Sequence, residues 1–237
     1  MSAKGAVFKT FHGATLYHKD DLPYNPDMSN IPDGFTPFKQ KVEKLCTPRA
    51  LLPAPTRGQL KPASLESLAE AGVVSSTCGY DFVPDETHLG FDSGSFAAAG
   101  GGTASGGVLD FRGGETAGRA RLEQWMFKDD RLKEYFEIRN GMLGEAYSSK
   151  FSPWLANGNL SPRWIQQECA RYERERRVAN KSTYWLVFEL IWRDFFHFLV
   201  TKYGRATFYK GGMKNLDRPW SSDAERIRRW KEGRTGM

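Results

Sequence analysis

The most apolar stretch of the sequence covers residues 184–200, YWLVFELIWRDFFHFLV. It carries Glu189, Arg193 and Asp194 near its middle, and each ionised side chain costs about 2.5–3.5 kcal/mol at the centre of a bilayer. The stretch therefore does not predict a membrane segment. It predicts a helix over residues 182–203 that is buried on most of its sides within a globular domain.

Polar and aromatic side chains recur every four residues along this predicted helix, at Trp185, Glu189, Arg193 and His197. On a helix these positions form one ridge, and Trp192 flanks it at three residues from Glu189. Such a ridge on an otherwise apolar helix is typical either of the lining of an interior cavity or of an internal salt bridge. The pattern by itself leaves both interpretations open.

Among the helices predicted upstream of it, three have a defined set of face positions. Residues 113–126 place small and large side chains on one face, Asp129 and Asp130 are expected to cap a second helix, and residues 161–178 form a charged helix with a narrow apolar stripe. The face positions are Gly118, Arg121, Leu122, Trp125 and Met126 in the first helix, Leu132, Tyr135, Phe136 and Arg139 in the second, and Ile165, Cys169 and Tyr172 in the third.

The segment 147–164, YSSKFSPWLANGNLSPRW, predicts two helix starts in succession. Proline is favoured at the first helical position, and a serine just before it can cap the free backbone amides. The two starts are Ser152-Pro153 and Ser161-Pro162. Hydroxyls and a cation in residues 148–150 crowd the first start, where unpaired amides favour an anion. The pattern fits two ordinary helix caps, and it also fits a phosphate site.

The N-terminal part of the chain predicts one strand and one helix. Residues 7–24 are expected to form a short strand that ends in a turn at Asp20-Asp21 and Pro23. Residues 35–46 predict an amphipathic helix with Thr36-Pro37 as its cap and first residue. Its apolar stripe is expected to consist of Phe38, Val42 and Leu45.

Residues 50–107 are poor in large apolar side chains and predict a linker. A short helix over 64–70 is possible within it, and the tract FAAAGGGTASGG at 96–107 is expected to be mobile. The predicted division of the chain is an α/β remnant at 1–50, a flexible Gly/Ala/Pro-rich linker at 51–107 and a helical domain at 108–237.

Composition narrows the function classes only slightly. The chain has 237 residues, with 34 basic against 28 acidic side chains, and its net charge of +6 suits a polyanionic partner without proving one. Cysteines and histidines are scattered, so neither a zinc site, another metal site nor a disulfide framework is indicated. The N-terminus lacks an export signal. We expect an intracellular protein, with nucleus, plastid and mitochondrion left open.

Three segments carry a pattern that is far more specific than any single motif. They are GGETAGRARLEQWM at 113–126, YSSKFSPWLANGNLSPR at 147–163 and STYWLVFELIWRDFFHFL at 182–199. In the identity, order and spacing of their residues they resemble the flavin-binding helical domain of the photolyase and cryptochrome family. RNGMLG at 139–144 is similar to the DASH-type cryptochromes within that family.

The resemblance covers residues 108–237 well and the N-terminal part more weakly. HGATLYHKDDLPY and FTPFKQKVEK look like the last strand and the following helix of the family's N-terminal antenna domain. The fold class implied is mainly α: the first half of the helical FAD-binding domain, with a small α/β remnant at the N-terminus.

The resemblance implies FAD as the cofactor. The hydroxyls and amides at the first Ser-Pro helix start would hold its diphosphate. The residues that would contact FAD are Tyr135, Ser148, Ser149, Lys150, Phe151 and Ser152. The alternative is structural: Tyr135 would be a half-buried core residue, and Lys150 a solvated charge.

The resemblance also implies single-stranded DNA with pyrimidine dimers as the partner. Residues that would face the DNA are Arg139, Glu189, Trp192, Arg193 and Phe196. Glu189 and Trp192 would be the catalytic pair, with Glu189 hydrogen-bonded to the exposed base edges of the dimer and Trp192 packed against its flipped bases. Arg193 would neutralise negative charge nearby. A core tryptophan is the alternative for Trp192.

Relatives of this kind continue beyond the WKEGRTGM end of the sequence, so half of the flavin cavity is not expected here. The first strands of the antenna domain are also missing from the sequence, so a complete folate antenna site is not expected. The function implied is blue-light-driven, FAD-dependent repair of cyclobutane pyrimidine dimers, preferably in single-stranded DNA and impaired by the truncation. Two alternatives are a blue-light flavin photoreceptor without repair activity and an inactive basic fragment that binds DNA.

Overall fold

A computed structural model of the chain describes residues 11–56, 58–59, 90, 109, 111–141 and 144–236, and helices are the only regular elements among them. The α-helices are α1 (Phe35–Leu45), α2 (Glu115–Leu122), α3 (Tyr135–Ile138), α4 (Ser152–Ala156), α5 (Pro162–Arg176), α6 (Lys181–Tyr203) and α7 (Ala224–Lys231). A π-helix spans Glu123–Lys128, and 3-10 helices span Lys19–Asp21, Leu132–Glu134 and Gly204–Phe208.

The chain forms two compact units. One consists of residues 1–49 together with 188–237, and the other of residues 50–187. Helix α6, which the apolar stretch predicted, contributes residues to both units. Among the described residues, no helix combines the length and the apolar character that a membrane crossing requires.

In the first unit α1 packs through the apolar stripe that its sequence predicts, with two corrections. Phe38 and Val42 are fully buried, but Leu45 is 59% exposed, so its placement on the core face was wrong. The helix begins at Phe35 with Gly34 as its N-cap, because Thr36 and the following proline already have helical geometry. Phe35 thereby becomes a buried residue of the helix.

The strand predicted over residues 7–24 is absent from its described part, residues 11–24, which instead contains the 3-10 helix at Lys19–Asp21. The reason is the hydrogen-bond acceptor of two backbone amides. Leu16 and Tyr17 donate their N–H groups to the two carboxylate oxygens of Asp194 on α6, at 3.0 and 2.9 Å. These amides are thus bound to a side chain rather than to a neighbouring strand, and a single strand has no ladder of its own.

The second unit buries the face predicted for residues 113–126, since Gly118, Arg121, Leu122, Trp125 and Met126 are all buried. Gly118 allows the close approach of α4: a Cβ atom at this position would lie 3.0 Å from the Trp154 ring. A side chain there would therefore push the two segments apart.

The helix predicted after Asp129 and Asp130 is broken into a 3-10 turn and the short α3, and no aspartate caps it. Asp130 instead accepts hydrogen bonds from Lys133 and from the Tyr172 hydroxyl. Helix α5 confirms the predicted stripe, with Ile165, Cys169 and Tyr172 buried. Burial raises the pKa of the Cys169 thiol, which is consistent with a packing role.

The possible helix at 64–70 and the tract at 96–107 lie outside the described residues, as does Cys78. The division at residues 50 and 107 therefore stays a prediction.

We predict that Asp194→Ala lowers the free energy of unfolding by about 2–4 kcal/mol, because it leaves the buried amides of Leu16 and Tyr17 without this acceptor. Asp194→Asn keeps one acceptor oxygen and should lose about half as much. Urea unfolding followed by circular dichroism measures both. The exposed Asp217→Ala is the control and should stay within about 0.5 kcal/mol of the parent chain. An equal, small effect of all three substitutions would contradict the role given to Asp194.

Candidate functional site

A buried arginine fixes the loop that carries most of the predicted cofactor residues. Arg121 of α2 donates through Nη2 to the carbonyl oxygens of Glu145 (2.7 Å) and Ser148 (3.3 Å), and through Nε to that of Ser149 (3.2 Å). Burial lowers the pKa of Arg121, and the negative charges of Glu145 and Asp129 oppose that effect. An arginine keeps its charge even so, and its planar group can bind several acceptors at fixed angles.

Trp125 fixes the same loop from the next turn. Its indole Nε1 donates to the carbonyl oxygen of Ala146 at 2.9 Å. Its ring meets Tyr135 edge to face with 5.1 Å between ring centroids, and Phe151 in the same way at 5.8 Å. The structure thus brings the predicted cofactor residues Tyr135 and Phe151 onto one tryptophan. Both rings are 2% exposed, so they have little surface to offer to a ligand as the chain stands.

The backbone N–H groups of the loop form a second set of polar groups beside these carbonyl oxygens. Among the described residues, no acceptor takes a hydrogen bond from the backbone amides of residues 148–152. Lys150 is half-buried and has a left-handed backbone conformation, with φ at 57°. Successive amides in such an irregular turn can form a concave set of donors that binds an anion. The donor chemistry of the loop therefore fits a diphosphate.

The serines do not cap the helices as the sequence predicts. Ser152 is the first residue of α4, and Phe151 takes the N-cap position because its backbone is already near-helical, at φ −79° and ψ −11°. Ser161 occupies the N-cap of α5, but its hydroxyl makes no cap hydrogen bond. The Ser152 side chain is exposed, so its hydroxyl is accessible to a ligand.

The polar ridge of α6 contributes Glu189 and Arg193 to the first unit, both half-buried. The Arg193 guanidinium donates to the carbonyl oxygen of Ala14. Partial burial lowers the pKa of Arg193, and the charge of Asp194 opposes that effect. Part of its hydrogen-bonding capacity is thus used within the chain, while its charge remains.

Trp192 is in contact with a residue that sequence reasoning did not include in the site. Phe35 of α1 stacks on its ring, with 3.5 Å between centroids and 10° between planes. Phe196 lies 5.7 Å from Trp192 at 28°, so the structure brings these two predicted DNA-facing residues together. Phe35 was missed because Thr36-Pro37 resembled the start of the helix and placed Phe35 outside it. One face of Trp192 is thus covered by Phe35, and the residue as a whole is half-buried.

Arg139 belongs to the second unit, where it lies beside an aromatic pair. Its guanidinium carbon is 4.8 Å from the centre of the Trp185 ring and 5.9 Å from that of Phe136. Lys181 places its ammonium 3.3 Å above the Phe136 ring. Cation–aromatic contacts of this type hold both basic groups at defined positions. The roles given to Arg139 and to the other site residues stay predictions.

Two proteins named cryptochrome DASH align with nearly the whole of this chain. No family model matches the chain. The chain is 42% identical over 243 residues to the chloroplastic/mitochondrial cryptochrome DASH of Ostreococcus tauri. This alignment covers 99% of this chain and 42% of that protein. Cryptochrome DASH of Synechocystis sp. is 44% identical over 244 residues, covering 100% of this chain and 43% of the relative.

A solved structure agrees with these sequences. The crystal structure of Synechocystis sp. PCC6803 cryptochrome matches with a TM-score of 0.71 and 43% identity, over 94% of this chain and 41% of that one. The chain is thus similar, over nearly its whole length, to cryptochromes DASH. The predicted resemblance and the helical fold class of the photolyase and cryptochrome family are thereby confirmed. The chain spans about two fifths of the length of the relatives that it matches.

We predict that Arg121→Lys lowers the free energy of unfolding by about 1.5–3 kcal/mol, because an ammonium cannot replace the planar group that binds the carbonyl oxygens of Glu145, Ser148 and Ser149. The loop should also gain motion, seen as lower heteronuclear NOE values over residues 145–152. The control is Arg119→Lys, at an exposed arginine of the same helix that pairs with Glu115. If both substitutions leave the loop equally rigid, Arg121 does not hold it.

Proposed function

We propose that this chain is part of a DASH-type cryptochrome, that it binds FAD, and that it takes part in blue-light-driven repair of cyclobutane pyrimidine dimers, preferably in single-stranded DNA. The observation that supports this most is the loop at 145–152. Arg121 binds its carbonyl oxygens, while its amides and the Ser152 hydroxyl remain for an anionic ligand. Identity of 42–44% with cryptochromes DASH supports a flavin dinucleotide as this ligand.

The residues of the loop would hold the cofactor through its diphosphate. Ser148, Ser149 and Ser152 offer hydroxyl donors, the amides of 148–152 offer further donors, and Lys150 supplies a positive charge. Tyr135 and Phe151, buried on Trp125, would support the loop from beneath. When bound, a reduced and light-excited flavin supplies an electron to the dimer.

Residues of α6 would hold the substrate. Glu189 is proposed to accept hydrogen bonds from the base edges of a flipped dimer, and the half-buried Trp192 to pack against those bases. Arg193 would neutralise phosphate charge. Arg139 is proposed as a further DNA-binding residue. Removal of the dimer from the stack costs least in single-stranded DNA, which is the reason for the proposed preference.

Two other functions use the same residues differently. A flavin photoreceptor without repair would need the loop at 148–152 but not Glu189. A basic DNA-binding fragment without a cofactor would need only the net charge of +6. The following two experiments separate these functions.

The first experiment measures cofactor binding. Titration of the purified chain with FAD should shift the flavin absorbance, and riboflavin, which has no diphosphate, should bind at least about tenfold more weakly. Ser152→Ala should weaken FAD binding about fivefold to tenfold, the equivalent of one hydrogen bond. The control is Ser222→Ala, an exposed serine outside the loop. Equal binding of riboflavin and FAD would contradict a diphosphate site at residues 148–152.

The second experiment measures repair. Dimers in an oligothymidylate should disappear under blue light in the presence of the chain and FAD, and Glu189→Ala should abolish the reaction. The exposed Glu137→Ala is the control and should repair at the parent rate. Photoreduction of the flavin without repair would favour the photoreceptor. A colourless chain that binds any DNA in a salt-sensitive manner would favour the basic fragment.

A further inference from the structure

Two glycines of the RNGMLG segment, Gly141 and Gly144, lie against the ring of Tyr147. A Cβ atom added at Gly141 would lie 2.5 Å from Cδ1 of Tyr147 and 2.9 Å from its Cβ. A Cβ atom added at Gly144 would lie 3.8 Å from Cε2 of the same ring. The Tyr147 ring therefore packs directly on the backbone of Gly141, with Gly144 at its edge.

The two positions require glycine for different reasons. Gly144 has a φ of 101°, which residues with a side chain rarely adopt. The backbone of Gly141 lies outside the left-handed region, so an alanine could adopt its conformation. Carbon atoms that are not bonded to each other are best separated by about 3.5–4.0 Å. The Tyr147 ring is thus what excludes a side chain at Gly141.

Tyr147 stands between two residues whose carbonyl oxygens are bound by side chains of the preceding helices. The oxygen of Ala146 accepts from the Trp125 indole at 2.9 Å, and that of Ser148 accepts from Arg121 Nη2 at 3.3 Å. The Tyr147 side chain itself is 42% exposed, so burial in the core does not account for its position. Its contact with the glycine adds a third attachment to the two that the backbone makes.

Gly141 is attached in turn to the helix α3 that carries Tyr135. It donates its N–H to the carbonyl oxygen of Ile138, the last residue of α3, at 2.9 Å. Tyr135 of the same helix packs edge to face on Trp125. The contacts therefore run from Trp125 through α3 and Gly141 to the loop, and back to Trp125 through its hydrogen bond. Such a closed set of contacts restricts the backbone on both sides of residue 147.

We propose that Tyr147 is a positioning residue for the diphosphate site, and that Gly141 is the contact surface that its ring requires. The ring fixes the backbone immediately before Ser148, where the proposed N–H donors begin. Tyr147 acts through the loop, and it needs no contact with the cofactor. This inference rests on the proposed function for the identity of the ligand.

Titrations with FAD and with riboflavin, which lacks the diphosphate, test this role. Tyr147→Ala and Gly141→Ala should each weaken FAD binding about fivefold to tenfold and leave riboflavin binding unchanged, because only the diphosphate uses the loop donors. Tyr147→Phe keeps the ring and should bind FAD as the parent does. Gly113→Ala is the matched control: nothing lies within 4 Å of a Cβ atom at this glycine, so FAD affinity should not change.

The double variant Gly141→Ala/Tyr147→Ala distinguishes one shared contact from two independent effects. If both residues act through the same contact, the double variant should bind FAD as Tyr147→Ala does, since the added methyl group then meets no ring. Losses that multiply, or an equal weakening of riboflavin binding, would overturn the inference. Urea unfolding shows whether each variant is folded. If Gly141→Ala is unfolded, the comparison of Tyr147→Ala with Tyr147→Phe, at an exposed side chain, decides.

The failures of this inference and of the proposed function are distinguishable. If the parent chain prefers FAD to riboflavin and Tyr147→Ala keeps the full preference, the positioning role is wrong and the diphosphate site stands. If the parent chain binds both flavins equally, the proposed diphosphate site fails, and this inference fails with it.

Discussion

Buried backbone that is not part of a helix must find partners for its N–H and C=O groups, and in both units of this chain a buried ion provides them. In the second unit the guanidinium of Arg121 binds carbonyl oxygens of the loop at 145–149. In the first unit the carboxylate of Asp194 binds the amides of Leu16 and Tyr17. The two ions have opposite signs because they bind opposite backbone groups.

This constraint connects the fold to the proposed chemistry. Arg121 binds carbonyl oxygens of the loop, and the proposed function gives the N–H donors of the loop to a ligand. An anion is the ligand that such donors select. Trp125 adds rigidity from the same face through its hydrogen bond to Ala146. A site whose support is made by packed and hydrogen-bonded side chains needs little rearrangement on binding. In the other unit, the stack of Phe35 on Trp192 gives a similarly defined position to an aromatic side chain of α6.

Sequence patterns predicted the long helices well and the irregular segments poorly. The spacing of apolar residues in α6 and of Ile165, Cys169 and Tyr172 in α5 depends on local periodicity, and the structure follows it. The strand at the N-terminus was predicted wrongly because the amides of Leu16 and Tyr17 bind Asp194, which lies 178 and 177 residues away in the chain. No local pattern contains that contact.

The candidate site shows the same limit. The charged residues within the most apolar segment singled out α6 as a candidate site helix. One of them, Asp194, instead binds backbone amides, a contact that only the folded chain reveals. Ser152 was predicted as the N-cap of α4 but is its first residue, because Phe151 has a near-helical backbone and takes the N-cap position. Phe35 was missed for the converse reason, since a Thr-Pro pair resembled a helix start that in fact comes earlier. Helix periodicity is thus readable from the sequence, whereas helix ends and side chain to backbone contacts depend on packing.

The most direct measurement of the central claim is a titration of the isotope-labelled chain with ADP, followed by the backbone amide signals in two-dimensional NMR. ADP carries the diphosphate without the flavin ring. If Arg121 holds the loop so that its donors receive an anion, the largest shifts will fall on the amides of residues 148–152. Shifts confined to the basic helix α7, or no saturable shifts in the loop, would contradict the account.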